Sequence, residues 1–338
     1  MPPTESPPSH PPLVSVLVAA RNEETNIIGC LEAIHRLGYP AERLQVLIGN
    51  DQSEDRTGDL IREFIRDKPH FRCYDITGNV GGQRGKSNVL AQLIRRAKGE
   101  FYFFTDADVR VPPGWIEALL AGHQSEEGVV TGVTTVGGSR LFDRLQALDW
   151  LFALAAVKGL ADWHVPVTAM GNNLMVSRTA YLATGGYENL PFSVVEDTQL
   201  FWAIVRRGYG FRHVYQTTAL ARTQPAPTLT ALLHQRKRWM RGAMQLPGYL
   251  VVLLFVQALF TPGILGLACF FPTPALAIFV VKTGAQGWFM WRTLRRLHQS
   301  ALDKYLLFYP VYEAGLSLLL IAFYYLPFGL EWKGRKYD

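Results

Sequence analysis

From residue 13 to about residue 135, apolar runs of strand length alternate with amphipathic runs of helix length. This alternation limits the fold more than any other feature of the chain. Strands are expected at Leu13–Ala20, Gln45–Asn50, Phe71–Ile76 and Phe101–Thr105, and helices at Glu24–Leu37, Asp55–Arg66 and Lys86–Lys98. Strands separated by helix-length segments join in parallel, so the pattern predicts an α/β fold: a mixed, mostly parallel sheet with helices on both faces. The next hundred residues are less regular. Helices are expected at 141–160, 197–207 and 228–241, and short strands near 128–135, 168–176 and 211–215. No internal repeat is visible.

A second change of character comes near residue 248. Residues 248–330 are dominated by Leu, Val, Phe, Ala and Tyr, and the positive charge gathers around them. Arg236, Lys237, Arg238 and Arg241 precede the apolar region, Arg292, Arg295 and Arg296 lie within it, and Lys333, Arg335 and Lys336 follow it. The net charge of +6 therefore reads as membrane anchoring on the cytoplasmic side and not as nucleic-acid binding, for which no finger, heptad or RNA-binding pattern is present. Candidate spans are 249–271, interrupted by Pro262 and Gly263; 274–291, which contains Lys282 and Gln286; and 305–328, which contains Pro310 and Glu313. Keeping all the basic clusters on one side makes the third segment re-entrant, interfacial or a hairpin. The expected organisation is a disordered Pro-rich tail (1–12), a catalytic domain (13–230), an interfacial amphipathic helix (231–247), a membrane region of two to four helical segments (248–330) and a basic cytoplasmic tail (331–338). Three scattered cysteines, Cys30, Cys73 and Cys269, argue against a disulfide scaffold and fit a reducing compartment.

The strand 101–105 ends in Asp106-Ala107-Asp108. In an extended chain residues i and i+2 share a face, so both carboxylates are expected at one spot at the carboxyl end of a strand, where open α/β sheets place ligands. Paired carboxylates there suit a hard divalent cation that also takes phosphate oxygens; a solvated acidic loop is the plainer alternative. Asp51 follows the second strand and suits a base or ribose edge, while Ser53 or Asp55 can cap the next helix. Gly81-Gly82-Gln83-Arg84-Gly85-Lys86-Ser87 approaches a P-loop, but Val80 stands where the first glycine is needed. Lys86 and Arg84 can still meet phosphates at a helix N-terminus. Glu196-Asp197 opens a helix and offers either dipole complementarity or a general base. Gln235-Arg236-Lys237-Arg238-Trp239 lies on a basic helix, where Trp239 can sit at headgroup level or stack on a sugar and Arg238 can pair with a diphosphate.

These stretches, with Val18-Ala19-Ala20-Arg21-Asn22-Glu23 and Gly171-Asn172-Asn173, occur in an order that resembles the inverting glycosyltransferases of family 2 over residues 13–241. The set is most similar to the cellulose/hyaluronan-synthase-like and ceramide-glucosyltransferase-like branch. The ending Glu331-Trp332-Lys333-Gly334-Arg335 is similar to tails of small membrane lipid and carotenoid glycosyltransferases. The resemblance implies a GT-A fold, to which the apolar segments add C-terminal transmembrane helices. It also implies a nucleotide-sugar donor, a UDP-sugar on family grounds, and Mg²⁺ or Mn²⁺. It assigns Ala19, Glu23 and Asp51 to the nucleobase and ribose and puts Lys86 near the nucleotide. Asp106 and Asp108 go to the ribose, metal and diphosphate, and Gly171, Asn172 and Asn173 to the donor-sugar or acceptor side. Asp197, beside Glu196, becomes the base, with Gln235, Arg238 and Trp239 closing over diphosphate and acceptor. The chain departs from the family at Gln52, where Gly is usual, at Ser87-Asn88 after the Lys, and at Val194-Val195 before the acid pair.

The expected function is transfer of a sugar, with inversion and metal dependence, to a lipid-like hydroxyl acceptor by a multi-pass protein of the inner or plasma membrane whose catalytic domain is cytoplasmic. Two alternatives stay open: a processive β-polysaccharide synthase needing a partner subunit for export, and a non-catalytic membrane scaffold.

Overall fold

The computed structural model describes residues 10–326, 330–332 and 335–337, so residues 1–9 of the expected Pro-rich tail and Lys333, Gly334 and Asp338 of the expected basic tail lie outside the described residues. In chain order the elements are β1 (Val14–Ala20), α1 (Ile27–His35), β2 (Leu44–Asn50), α2 (Thr57–Ile65), β3 (Phe71–Asp75), α3 (Gly85–Ile94), β4 (Phe101–Asp106), α4 (Trp115–Ala121) and β5 (Glu127–Thr131). There follow β6 (Val133–Val136), α5 (Leu141–Asp162), β7 (Leu174–Ser177), α6 (Arg178–Ala183), α7 (Glu196–Val205), β8 (Gly210–His213) and β9 (Leu220–Thr223). The last part holds α8 (Leu229–Ala243), α9 (Gly248–Phe270), α10 (Pro272–Arg296) and α11 (Tyr309–Tyr325). The chain forms two compact units, residues 1–132 with 168–214, and residues 133–167 with 215–338. Their boundary cuts through the span 13–230 that the sequence suggests as one domain.

The first unit is built on a sheet ordered β3-β2-β1-β4-β7-β5-β8. β3, β2, β1 and β4 run parallel, β7 is antiparallel to β4 and β5, and β8 is parallel to β5. The expectation of a mixed, mostly parallel sheet is met. The reason lies in sequences such as Val14-Ser15-Val16-Leu17-Val18, which is wholly buried, as a strand covered on both faces must be. One core packs Leu17, Leu47, Leu90, Phe104, Leu174 and Phe201 together. The register pairs Ala19 with Gly49 and with Asp106, so the carboxyl ends of three adjacent parallel strands share one edge.

Asp106 and Asp108 do not share a strand face, contrary to expectation. β4 ends at Asp106; Ala107 and Asp108 lie in a tight turn in which the Val109 amide donates to the Asp106 carbonyl (3.1 Å). The turn, not strand alternation, sets the direction of Asp108.

In the second unit β6 and β9 pair in parallel as a separate two-stranded sheet. α8 sets Leu232 and Leu233 against Leu316 of α11, and its buried Lys237 donates to the carbonyls of Phe323 (3.2 Å) and Leu326 (2.6 Å) at the α11 C-terminus. A cation there satisfies carbonyls that the helix leaves without partners. α11 thus covers Leu232 and Leu233 of the helix expected to be interfacial, while Leu229 stays exposed. Among the described residues one helix, α9, is long and apolar enough to cross a membrane by length and composition. α10 carries Lys282, and α11 has 17 residues, short for a span of ~20.

Candidate active site

The sheet edge described above brings the expected acids of the first unit toward one locality, and α3 supplies the charge that balances them. The loop before α3 is fixed by Asn88, which accepts from the Val80 amide (3.0 Å) and donates to the Gly78 carbonyl (2.9 Å). Lys86 therefore leaves the first turn of α3 in a defined direction. Its Nζ lies 2.5 Å from Asp106 Oδ1 and 3.0 Å from Glu196 Oε1, with its side chain 15% exposed. Burial alone would lower the Lys86 pKa, but Asp106, Glu196 and Asp197 outweigh it and hold the ammonium well above its usual range.

Asp197 occupies the first turn of α7, one residue after the buried Glu196. Its Oδ2 accepts from the Gly171 amide (2.7 Å) and its Oδ1 from the Thr198 amide (2.7 Å). Gly171 has a steric reason to be glycine: a Cβ there would stand 2.8 Å from the Asp197 Cβ and 2.9 Å from Oδ2. Burial and the neighbouring Glu196 push the Asp197 carboxyl up to about 6, while Lys86 and the two amides act in the opposite direction. This describes a group that is ionised at neutral pH yet retains appreciable affinity for a proton, as a general base requires.

Beneath the Asp106–Asp108 turn lies Cys30, which belongs to none of the motifs. Its buried thiol donates to the Asp106 carbonyl (3.4 Å). Burial raises the thiol pKa, and the charges of Asp108 and Asp106 raise it further, against the opposing effect of Arg110. Nothing in the sequence spacing marks a cysteine from α1 as the floor of this turn.

The remaining expected residues differ in exposure. Asp51 is buried at the end of β2; its amide donates to the Ala20 carbonyl (2.9 Å) and its carbonyl accepts from Arg21 (2.8 Å). Glu23 accepts from the Asn26 amide through its backbone and from the Asn26 side chain through its carboxylate, so it organises the start of α1. Ala19 is half-buried against the core of the first unit. Asn172 is buried, and Asn173 is fully buried with its side-chain oxygen accepting from the Trp115 indole N–H (2.8 Å). In the second unit Gln235, Arg238 and Trp239 are half-buried on α8. Trp239 packs edge-on against Trp150 (5.2 Å between centroids), and Arg236 lies over its ring (4.5 Å) while pairing with Asp149 (2.5 Å).

Among the described residues no group of three or more His, Cys, Asp or Glu is arranged to hold a metal ion. Asp106 and Asp108 offer only two carboxylates, too few for an all-protein cage. They do fit a hard divalent cation that keeps waters and completes its shell with phosphate oxygens.

Comparison with known proteins agrees with this architecture. A probable glycosyltransferase of Bacillus subtilis, YdaM, is 31% identical over 236 residues, 68% of this chain and 55% of that protein. The poly-beta-1,6-N-acetyl-D-glucosamine synthase of Staphylococcus aureus is 27% identical over 234 residues, 68% of this chain and 54% of that protein. The chain thus spans about half the length of these curated relatives. The mannosyltransferase PcManGT of Pyrobaculum calidifontis, solved with GDP-Man and Mn²⁺, shares the fold at a TM-score of 0.55 and 19% identity, over 90% of this chain and 89% of that one. The glycosyltransferase resemblance expected from the family 2 motifs therefore holds, and the family whose model matches is described as glycosyl transferase family 21. Its match runs over residues 3–338, and the chain belongs to that family.

Proposed function

We propose that the protein is an inverting glycosyltransferase that moves a sugar from a nucleoside-diphosphate donor to a hydroxyl group on a lipid-like acceptor at the cytoplasmic face of a membrane. The observation that carries this is the setting of Asp197: a carboxylate of raised pKa, fixed by two backbone amides, in the same ionic cluster as Lys86 and Asp106. Asp197 accepts the proton of the acceptor hydroxyl as that oxygen attacks the anomeric carbon. The bond from that carbon to the donor phosphate oxygen breaks in the same displacement, so configuration inverts. Lys86 meets charge that develops on the leaving diphosphate. Asp106 and Asp108 would hold Mg²⁺ or Mn²⁺, which when bound neutralises the same developing charge. Asp51 and Glu23, with Ala19, are assigned to the nucleoside, and Gly171, Asn172 and Asn173 to the sugar side; for Gln235, Arg238 and Trp239 the assignment rests on the motif resemblance. The mannosyltransferase solved with GDP-Man and Mn²⁺ supports a nucleotide-sugar donor and a divalent ion through its shared fold alone.

Asp197→Asn keeps the shape and removes the base. Transfer, followed as donor-derived sugar appearing in lipid extracts by mass spectrometry, is expected to fall by a factor on the order of 10²–10⁴. Binding of UDP with Mn²⁺ by calorimetry should stay close to wild type. Unchanged transfer would remove Asp197 from the mechanism.

A processive synthase is the second reading, favoured by the match to the poly-beta-1,6-N-acetyl-D-glucosamine synthase. One sugar per acceptor in the same mass spectra argues for the first reading, and a ladder of products for the second.

A further inference from the structure

Lys86 occupies a place that the proposed reaction alone does not explain. Its ammonium sits against Oδ1 of Asp106, a carboxylate that the proposed function gives to a divalent ion, and also pairs with Glu196. The single ammonium of Lys86 faces the three carboxylates Asp106, Glu196 and Asp197. A cluster of that sign attracts any divalent cation, including one that arrives without a nucleotide. An ion at Asp106 would, however, stand within a few ångströms of the Lys86 ammonium, and repulsion at that distance is large in a partly buried site.

We propose that Lys86 is a resident counter-ion that keeps bare Mg²⁺ or Mn²⁺ off Asp106 and Asp108, and that a diphosphate relieves this by offering the ammonium another anion. Metal binding is thereby tied to donor binding. The idea rests on the proposed role of Asp106 and Asp108 as metal and diphosphate anchor. The geometry allows the exchange. Lys86 lies in the first turn of α3, where backbone amides face outward, and its flexible four-carbon stem lets the charged end turn from carboxylate to phosphate without moving the helix. Lys86 acts here as a positioning residue: it decides when Asp106 is available.

The test is a Mn²⁺ titration of the chain followed by electron paramagnetic resonance, with and without UDP. Wild type is expected to bind Mn²⁺ weakly alone and far more tightly with UDP. Lys86→Met should bind Mn²⁺ alone roughly tenfold more tightly than wild type, and should gain less from UDP. Lys86→Arg keeps the charge and should resemble wild type. Equal affinity of folded wild type and Lys86→Met for Mn²⁺ alone overturns the proposal. Thermal melting of wild type supplies a readout that needs no variant. Mn²⁺ alone should leave the midpoint almost unmoved, whereas Mn²⁺ with UDP should raise it; equal rises also overturn the proposal. Failure of the underlying site is recognised separately. If Asp106→Asn with Asp108→Asn binds Mn²⁺ and UDP as wild type does, the anchor itself is misplaced.

Discussion

At the scale of single residues, the candidate base depends on a glycine 26 positions earlier in the chain. The Gly171 amide reaches Asp197 Oδ2 because no Cβ stands in the way. Gly171→Ala should push the carboxylate aside and break that hydrogen bond. A displacement of this kind is expected to lower kcat on the order of 10²-fold. It should also change the pH profile in a direction that follows from the charges. Asp197 must be ionised to accept a proton, and burial with Glu196 raises its pKa to about 6, so the wild-type rate falls as pH drops through about 6. Losing the Gly171 amide removes a donor to the ionised form and moves this acid limb upward. A kcat profile measured from pH 5 to 8 that keeps its acid limb in Gly171→Ala would show that the amide does not tune the base. The acids themselves were legible in the sequence, because paired carboxylates at a strand end and at a helix start are local patterns. The Gly171 contact, Cys30 below the turn and the Trp115–Asn173 hydrogen bond were not, because each joins residues that only the tertiary fold brings together. Gln52 shows the middle case. It stands where the motif resemblance leads one to expect glycine, and its φ of 53° lies in the left-handed region where glycine is at ease.

At the scale of elements, the strands and helices up to β4 were legible because burial on both faces gives a continuous apolar run. α4 was not, since seven residues after Pro112-Pro113-Gly114 carry too short a period to read. Pro262 misled in another way. It suggests a break, yet α9 continues through it. Proline cannot donate to the carbonyl four residues earlier, which is that of Ala258. Ser317 of α11 donates to that carbonyl instead (3.3 Å), so a neighbouring helix repairs the ladder. α9 and α11 also share a polar cluster with α10. Lys282 pairs with Glu313 (2.5 Å) and Gln286 (2.7 Å), and Glu313 also accepts from Gln286 (2.9 Å) and Gln257 (3.2 Å). Glu313→Leu leaves the Lys282 charge without its anion. With side chains 27% and 16% exposed, the loss should be ~1–3 kcal/mol, below the ~3–5 kcal/mol of a fully enclosed pair. Lys282→Leu combined with Glu313→Leu should recover most of it. Thermal unfolding in detergent micelles checks both, and a double variant no better than Glu313→Leu would mean that the pair is not what binds the helices.

At the scale of the whole molecule, charge is distributed so that one long stretch has none. Between Arg241 and Lys282 there is no Asp, Glu, Lys, Arg or His. That stretch holds all of α9, the bend at Phe271 and the start of α10. At 1.5 Å per residue the 23 residues of α9 extend about 34 Å, enough to cross a hydrocarbon core of ~30 Å. Only 6% of its most apolar window is buried within the protein, and Val252, Val256, Leu259 and Phe270 are each more than half exposed. A core helix of a water-soluble domain would be covered. Beyond the apolar stretch, at the other end of α10, Trp288 and Trp291 lie beside Arg292 and Arg295, with each guanidinium over the ring of its partner (5.1 and 5.5 Å). Aromatic and basic side chains in that combination suit the headgroup layer. Two kinds of membrane attachment make different predictions. If basic residues alone hold the protein to anionic lipid, raising the salt from 0.1 to 1 M cuts the Debye length from ~10 to ~3 Å and should strip it from vesicles. If α9 enters the hydrocarbon core, hydrophobic burial dominates and neither salt nor an alkaline carbonate wash should release it. Flotation of the chain with vesicles of phosphatidylcholine and phosphatidylglycerol after each wash distinguishes the two. Retention in both washes is the expected outcome, and release by salt would reduce α9 to a surface contact.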